Sequence, residues 1–433
     1  MRKQKKTYLY LALCVTILSL SAFLVIGKVE ANYPEDIFII DDQTNITDHI
    51  WSSDGTQIAY LKFPDEQVWN GELWIADKYS WCAKLKNRRL IYTGVECPRL
   101  EDWQGDWILF LMRKEQIPSD YNSTYATREL WKIKVDGTEL TQVTFTNTNG
   151  IRTVWGGSYP NMGTVSYGQF IPGTDLVYFS AHNGNGWYRP YTCKADGSDQ
   201  WNALSVSPYY YSFTVGMSPT GNKVLWGDAT YWDNPTRALM ACNPDGSELA
   251  MIGSFNYRTV PLVLAEGDTV VYHFIRTRGI EGLPPGGGNI YAMDIDGSNP
   301  RTVIDDEYLN EWVDYHPLNG QALIMRSNRS VDGNIHMFNI NVDGTGITQL
   351  TEGPYYDEMP LYSPDGQYIM YRRLPEDTEL NVHGYPTSSA PNPYELVVKR
   401  VGPYPTPGFS FLSILLIVPV IVLMKRRKKI RSQ

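Results

Sequence analysis

A turn glycine followed by a short apolar strand recurs seven times along the 433 residues. It reads Ser53-Asp54-Gly55 before Ile58-Ala59-Tyr60, and Pro364-Asp365-Gly366 before Ile369-Met370-Tyr371. Weaker copies centre on Gly105, Gly173, Gly221, Gly267 and Gly320, and successive glycines are 50, 68, 48, 46, 53 and 46 residues apart. A repeat of this length marks units that cannot bury their apolar faces alone and must stack on neighbours. Between the copies stands a second pattern: Asp136-Gly137-Thr138, Asp196-Gly197-Ser198, Asp245-Gly246-Ser247, Asp296-Gly297-Ser298 and Asp343-Gly344-Thr345. Asp-Gly between β-rich runs signals a hairpin. Each unit therefore holds two hairpins, which is one four-stranded propeller blade.

The ends of the array predict how the ring closes. The last unit has a hairpin at Gly366 and a third strand at Tyr394 to Val398, then no fourth strand. Phe38-Ile39-Ile40-Asp41-Asp42 resembles Thr302-Val303-Ile304-Asp305-Asp306, the fourth strand of an internal unit. The expected fold is an all-β propeller of seven four-stranded blades closed by the N-terminal strand, with six blades as the fallback. The long step predicts an insertion around Gln116 to Arg128 or Gly150 to Gly168. Composition agrees: 30 Tyr, 36 Gly and 27 Pro suit short strands and turns, and 13% aromatic residues exclude a disordered chain.

The segments Ser363-Pro364-Asp365-Gly366-Gln367-Tyr368-Ile369-Met370-Tyr371 and Ile290-Tyr291-Ala292-Met293-Asp294-Ile295-Asp296-Gly297-Ser298 resemble the TolB-type, WD-like β-propeller repeat. The resemblance covers about residues 36 to 401 and is strongest in the fifth to seventh units. It implies the fold and leaves function open, because such propellers act as scaffolds, partner platforms and enzyme accessories.

The two ends predict export. Arg2, Lys3, Lys5 and Lys6 precede an apolar run from Tyr8 to Ile26, and Val29-Glu30-Ala31 offers small residues for cleavage. This reads as a signal peptide over 1–31, with an uncleaved anchor as the alternative. Residues 402–408 form a Pro-rich spacer, 409–424 an apolar transmembrane or sorting segment, and 425–433 a basic cytoplasmic tail. Pro407-Gly408-Phe409 in this setting resembles the PGF-type C-terminal sorting signal of archaeal surface proteins. That resemblance implies removal of the segment by an archaeosortase and replacement by a lipid anchor. Sixteen helical residues span about 24 Å, short of a typical ~30 Å hydrocarbon core, which fits removal. The alternative is an ordinary membrane anchor, and both place the ectodomain, 32–401, outside the cell and tethered.

The net charge of -9 averages unlike parts. Setting aside the eleven basic and one acidic residues of 1–31 and 425–433 leaves 27 basic and 46 acidic, a net of -19. Such a surface excludes nucleic acid as a partner and favours cations or basic partners.

Little catalytic chemistry is legible. No Gly-x-Ser-x-Gly elbow is present to make the propeller part of an α/β-hydrolase. The Asp-Gly loops lack the distal ligands of a calcium loop and read as turns. Six histidines fall at scattered repeat positions, so neither a metal nor a cofactor is expected. Cys193 and Cys242 stand three residues before the hairpin Asp, where other units carry Ile133, Met293 and Ile340; both read as buried free thiols. Cys82 and Cys97 are left open as a bridge.

The candidate binding residues are acidic groups in first strands, Asp48, Asp314, Asp357 and Glu358, and loop aromatics, Trp187, Tyr188, Tyr210 and Trp232. Asn45, Asn122 and Asn328 begin glycosylation sequons. The expected function is a surface-anchored, non-catalytic module binding an extracellular protein or glycan. The alternatives are an extracellular enzyme such as a polysaccharide lyase, and a structural envelope component.

Overall fold

The computed structural model describes residues 37–39, 45–63, 71–78, 86–95, 99–113, 128–145, 165–182, 188–198, 202–204, 211–218, 220–229, 236–256, 259–265, 269–275, 288–318, 320–375 and 394–402. They form seven antiparallel sheets of four strands each. Blade 1 comprises Asn45–Trp51, Gln57–Phe63, Gly71–Asp77 and Lys86–Val95; blade 2, Arg99–Gln104, Trp107–Arg113, Arg128–Lys134 and Thr141–Gln142. Blade 3 holds Val165–Phe170, Leu176–His182, Tyr188–Lys194 and Asn202–Ala203; blade 4, Tyr211–Met217, Val224–Ala229, Thr236–Cys242 and Ala250–Asn256. Blade 5 holds Thr259–Ala265, Thr269–Ile275, Gly288–Asp294 and Arg301–Ile304; blade 6, Asn310–Tyr315, Ala322–Ser327, His336–Asn341 and Thr348–Gln349.

Blade 7 takes Tyr355–Tyr362, Tyr368–Pro375 and Glu395–Arg400 from the end of the array and Ile37–Ile39 from its start. Ile37 stands opposite Lys399 and Ile39 opposite Val397. The expected three-plus-one closure is present, and seven blades replace the six-bladed fallback. The signal segment, the apolar segment 409–424, Cys82, Cys97 and both expected insertion sites (but for the flanking Arg128 and Val165–Gly168) lie outside the described residues. No helix among the described residues is long and apolar enough to cross a membrane.

First strands of successive blades touch one another, which places them innermost around the ring axis. Because neighbours run antiparallel, the first-to-second and third-to-fourth hairpins share one face, here the turn face. The second-to-third loops and the connections between blades share the opposite, loop face.

Burial explains why the sheets assemble. Seven apolar clusters each draw residues from two neighbouring blades, one cluster per junction. Ile58 and Tyr60 of blade 1, for example, pack with Met370 and Val398 of blade 7. Each fully buried Ile, Leu or Met contributes about 1.5–3 kcal/mol, and only a neighbouring blade supplies the cover. Second strands are apolar without alternation for the same reason. Ile108 to Met112 and all of Ala322–Ser327 are buried, since these strands are covered on both faces. Cys193 and Cys242 are buried and unbridged, and Ile133, Met293 and Ile340 are buried at the equivalent positions.

The hairpin turns are fixed by side chain and glycine together. Asp136, Asp245 and Asp343 each accept the amide two residues on at 2.9 Å. Gly297 has φ +85°, and a Cβ there would lie 2.1 Å from the Ile252 carbonyl oxygen of blade 4. Gly173 has φ +74° with open space around it. Gly173→Ala is expected to cost about 1 kcal/mol from backbone strain alone, and Gly297→Ala roughly twice that or more. Urea unfolding midpoints of the two variants read the difference; equal losses would refute the blade-to-blade contact.

Candidate functional site

Asp48, Asp102 and Asp314 occupy the register-shifted part of their first strands, where the ladder is broken and a carboxylate can turn along the backbone. Each bridges two blades. The Asp48 Oδ2 accepts the Leu100 amide of blade 2 at 2.8 Å and its Oδ1 the His49 amide at 2.9 Å. Asp102 takes Phe170 of blade 3 and Trp103, both at 2.8 Å. Asp314 takes Tyr362 of blade 7 at 2.7 Å and Tyr315 at 2.9 Å. Burial pushes the Asp48 and Asp102 carboxyls up to about 6 and Asp314 to about 7; the Arg372 charge and the amide donors pull Asp48 the other way, and the amide donors alone do so for Asp102 and Asp314. Two expected ligand contacts, Asp48 and Asp314, thus have both oxygens engaged by backbone amides.

The junction of blades 7 and 1 uses a different bridge. His49 Nε2 lies 3.1 Å from the Met359 carbonyl, and Met359 itself has a left-handed φ of 53°. Burial and the nearby Arg372 hold the His49 imidazole down at about 3. Thr47 Oγ1, His49 Nδ1 and the Arg372 Nε are buried here without a hydrogen-bond partner.

Asp357 and Glu358 sit elsewhere, at the loop face, inside a charge network that spans blades 6, 7 and 1. Arg326 donates to Glu311 across its own blade at 2.7 Å and lies 3.6 Å from Glu358 of blade 7. Arg372 pairs with the other Glu358 oxygen and donates to the Thr47 carbonyl of blade 1. Beside this chain, Arg373 binds Asp357 at 2.8 Å, and Asp357 and Asp332 flank His336 at 3.5 and 3.2 Å. Burial lowers the His336 imidazole, but Asp357 and Asp332 outweigh it and hold it above its ordinary value.

Two of these arginines, and Arg329 of blade 6, which pairs with Asp306 at 2.9 Å, carry a tyrosine ring at the same face. Arg329 lies 5.1 Å from the Tyr308 ring, Arg373 4.5 Å from Tyr355 and Arg372 4.2 Å from Tyr394. Tyr308 and Tyr355 are exposed, so each presents one face to solvent with a cation behind it. The structure therefore brings together Asp357 and Glu358 of the expected acids, separates Asp48 and Asp314 from them, and adds Glu311, Arg326, Arg372, Arg373, His336 and Tyr394. A signal for the added pair was present: Arg326 and Arg372 each follow their turn glycine, Gly320 or Gly366, by six residues. Trp187, Tyr210, Trp232, Asn122 and Pro407-Gly408-Phe409 lie outside the described residues, as do the side chains of Tyr188 and Asn45. Asn328 is half-buried at the loop face, its Oδ1 accepting the Leu309 amide at 2.8 Å. Among the described residues no three His, Cys, Asp or Glu side chains are placed to hold a metal ion.

No family model matches the sequence. An uncharacterized protein of Agrobacterium fabrum is 30% identical over 83 residues, which is 19% of this chain and 27% of that one. The match thus spans about a quarter of the relative. Among solved structures, the β-propeller domain of the Trilobed protease from Pyrococcus furiosus superposes with a TM-score of 0.53 at 10% identity, covering 84% of this chain and 100% of that one. That domain is described as having an open velcro topology, whereas Ile37–Ile39 closes the ring here. TolB from Acinetobacter baumannii superposes more loosely, at a TM-score of 0.41 and 11% identity over 78% of each chain. The likeness is one of fold alone: a β-propeller.

Arg326 and Glu311 are 1% and 3% exposed, so removing one leaves the other charge buried. Arg326→Met is expected to cost about 3–5 kcal/mol, whereas Lys134→Met, which breaks an exposed pair with Glu139, leaves stability close to that of the parent. Calorimetric unfolding of both variants checks the contrast.

Protonation gives a second test. From pH 3.8 to about 6 the folded chain holds a proton on Asp48 that the unfolded chain has released, so stability falls as pH rises through that window. His336 adds stability that is complete below pH 6.5 and is lost as pH rises through its higher folded value. His49, held neutral, acts in the opposite sense between 6.5 and about 3, so variants are compared with the parent. Asp48→Asn should flatten the decline between pH 4 and 6, and His336→Gln the decline above 6.5, in urea midpoints measured from pH 4 to 9. Unchanged slopes would refute the assignments.

Proposed function

We propose that this chain is an exported, membrane-tethered TolB-type propeller whose loop face over blades 6, 7 and 1 binds an extracellular glycan or protein without catalysis. The observation that carries the reading is the set of three arginine-backed tyrosines, Tyr308, Tyr355 and Tyr394, on the same face as the Glu311–Arg326–Glu358–Arg372 chain. Tyrosine supplies apolar contact area at small entropic cost together with a hydroxyl, the combination that suits the face of a sugar ring or a protein hot spot. The charged groups beneath are held by one another and by neighbouring blades, so the rings stand on a rigid base. A preformed platform loses little ordering entropy on binding. The arginines are mutually compensated by Glu311, Glu358 and Asp357, and the exported part of the chain is acidic overall. A basic or cationic partner is therefore favoured over a polyanion.

The test probes the immobilised full-length chain with neutral and acidic polysaccharides and with purified cell-envelope proteins. Saturable binding is expected, weakened about tenfold or more when Tyr355 and Tyr394 are both changed to Ala, since each stacked ring contributes about 1 kcal/mol. Polysaccharide turnover by the parent chain, or binding indifferent to both substitutions, would overturn the reading.

A further inference from the structure

Both ends of the ring leave it on the same face. Glu395–Arg400 runs toward the turn face, and the amides of Val401 and Gly402 both donate to the Gln367 carbonyl, at 2.9 and 3.0 Å. Gln367 directly follows Gly366 of the first hairpin of blade 7, so the chain is pinned to that turn until residue 402. A Cβ on Gly402 would lie 2.8 Å from the Gln367 Cα, which records how closely the departing backbone presses on the turn. The closing strand starts at the same place. Ile37 pairs with Lys399 and Ile39 with Val397, so the antiparallel strand begins at the turn face.

The sequence puts apolar segments just beyond both exits. Pro403-Tyr404-Pro405-Thr406-Pro407-Gly408 separates Gly402 from the apolar residues 409–424, and Tyr8 to Ile26 lies ahead of Ile37. Six residues reach at most about 20 Å fully extended. Three prolines among them favour an extended, stiff spacer over a coil.

We propose that the propeller stands with its turn face toward the membrane and its loop face, with the Glu311–Arg326–Glu358–Arg372 chain and the tyrosine rings, directed outward. The placement rests on the tethered reading above, and it is the same whether the tether is the C-terminal segment, a lipid replacing it, or an uncleaved N-terminal segment. A partner then meets the loop face unobstructed, whereas one at the turn face has about 20 Å of clearance or less where the C-terminal segment is the tether. The class of partner follows from this geometry: a macromolecule or polymer outside the cell, approaching from the side away from the lipid.

Two exposed positions of blade 6 report on the two faces. Val331 lies in the loop between its second and third strands, and Thr345 in its Asp343-Gly344-Thr345 turn. A fluorophore is attached through an azido amino acid at either position of the full-length chain, reconstituted in phosphatidylcholine vesicles carrying acceptor-labelled lipid in the outer leaflet. The faces are about one strand length apart, roughly 20 Å, so energy transfer at position 345 should exceed that at 331 about twofold or more. Equal or reversed transfer in a vesicle-bound chain overturns the placement alone. A chain that does not float with the vesicles overturns the tether, and the placement with it. Unfolding midpoints of the two labelled chains, matched to the parent, show that the ring is intact in each.

Discussion

The structure depends on burial that no blade achieves alone. Each sheet is apolar on both faces, and its cover comes from the sheets on either side. An open row of such sheets would leave two uncovered ends, so the seventh junction matters as much as the other six. It is made by Ile46, Ile58 and Tyr60 against Met370, Leu396 and Val398, and it is secured from outside by a three-residue strand brought from the other end of the chain. Lys78 of blade 1 adds to it, binding Asp365 at 2.9 Å with its ammonium over the Trp51 and Tyr368 rings.

Polar groups follow from the same geometry. First strands crowd around the axis, where a backbone amide facing the next blade has no ladder partner. Asp48, Asp102 and Asp314 meet that need with one oxygen each, at the cost of burying a carboxylate. Closer to the loop face the same crowding brings two glutamates and two arginines from blades 6 and 7 into one chain of alternating charge. A buried pair of this kind is weak evidence for stability but strong evidence for fixed position, because removing either partner strands the other. The tyrosines above it therefore rest on a base with little freedom to move.

The placement of the termini joins architecture to use. A ring closed by strands from both ends must bring those ends side by side, and antiparallel pairing sends them out through one face. The fold thus separates the face through which both ends pass from the face that carries the tyrosine rings, without any further element.

Much of this was legible in the sequence. Gly55, Gly366 and the Asp-Gly pairs gave the period, and Ile39-Ile40 against Val303-Ile304 gave the closure, because turns and strand ends have strict local chemistry. The inward position of Cys193 and Cys242 was legible from Ile133, Met293 and Ile340 at the same step of other units. The role of Asp48 and Asp314 was not, since an acidic residue in an inner strand reads alike whether it meets a ligand or a neighbouring amide. Nor was the partnership of Glu358 with Arg326, 32 positions away in sequence and on another blade. Local spacing determines which residues turn, pair and point inward, because those choices are made within one hairpin. Only the closed ring decided which charges meet, which rings stay exposed and which face the termini leave, because those depend on how blades remote in sequence are brought edge to edge.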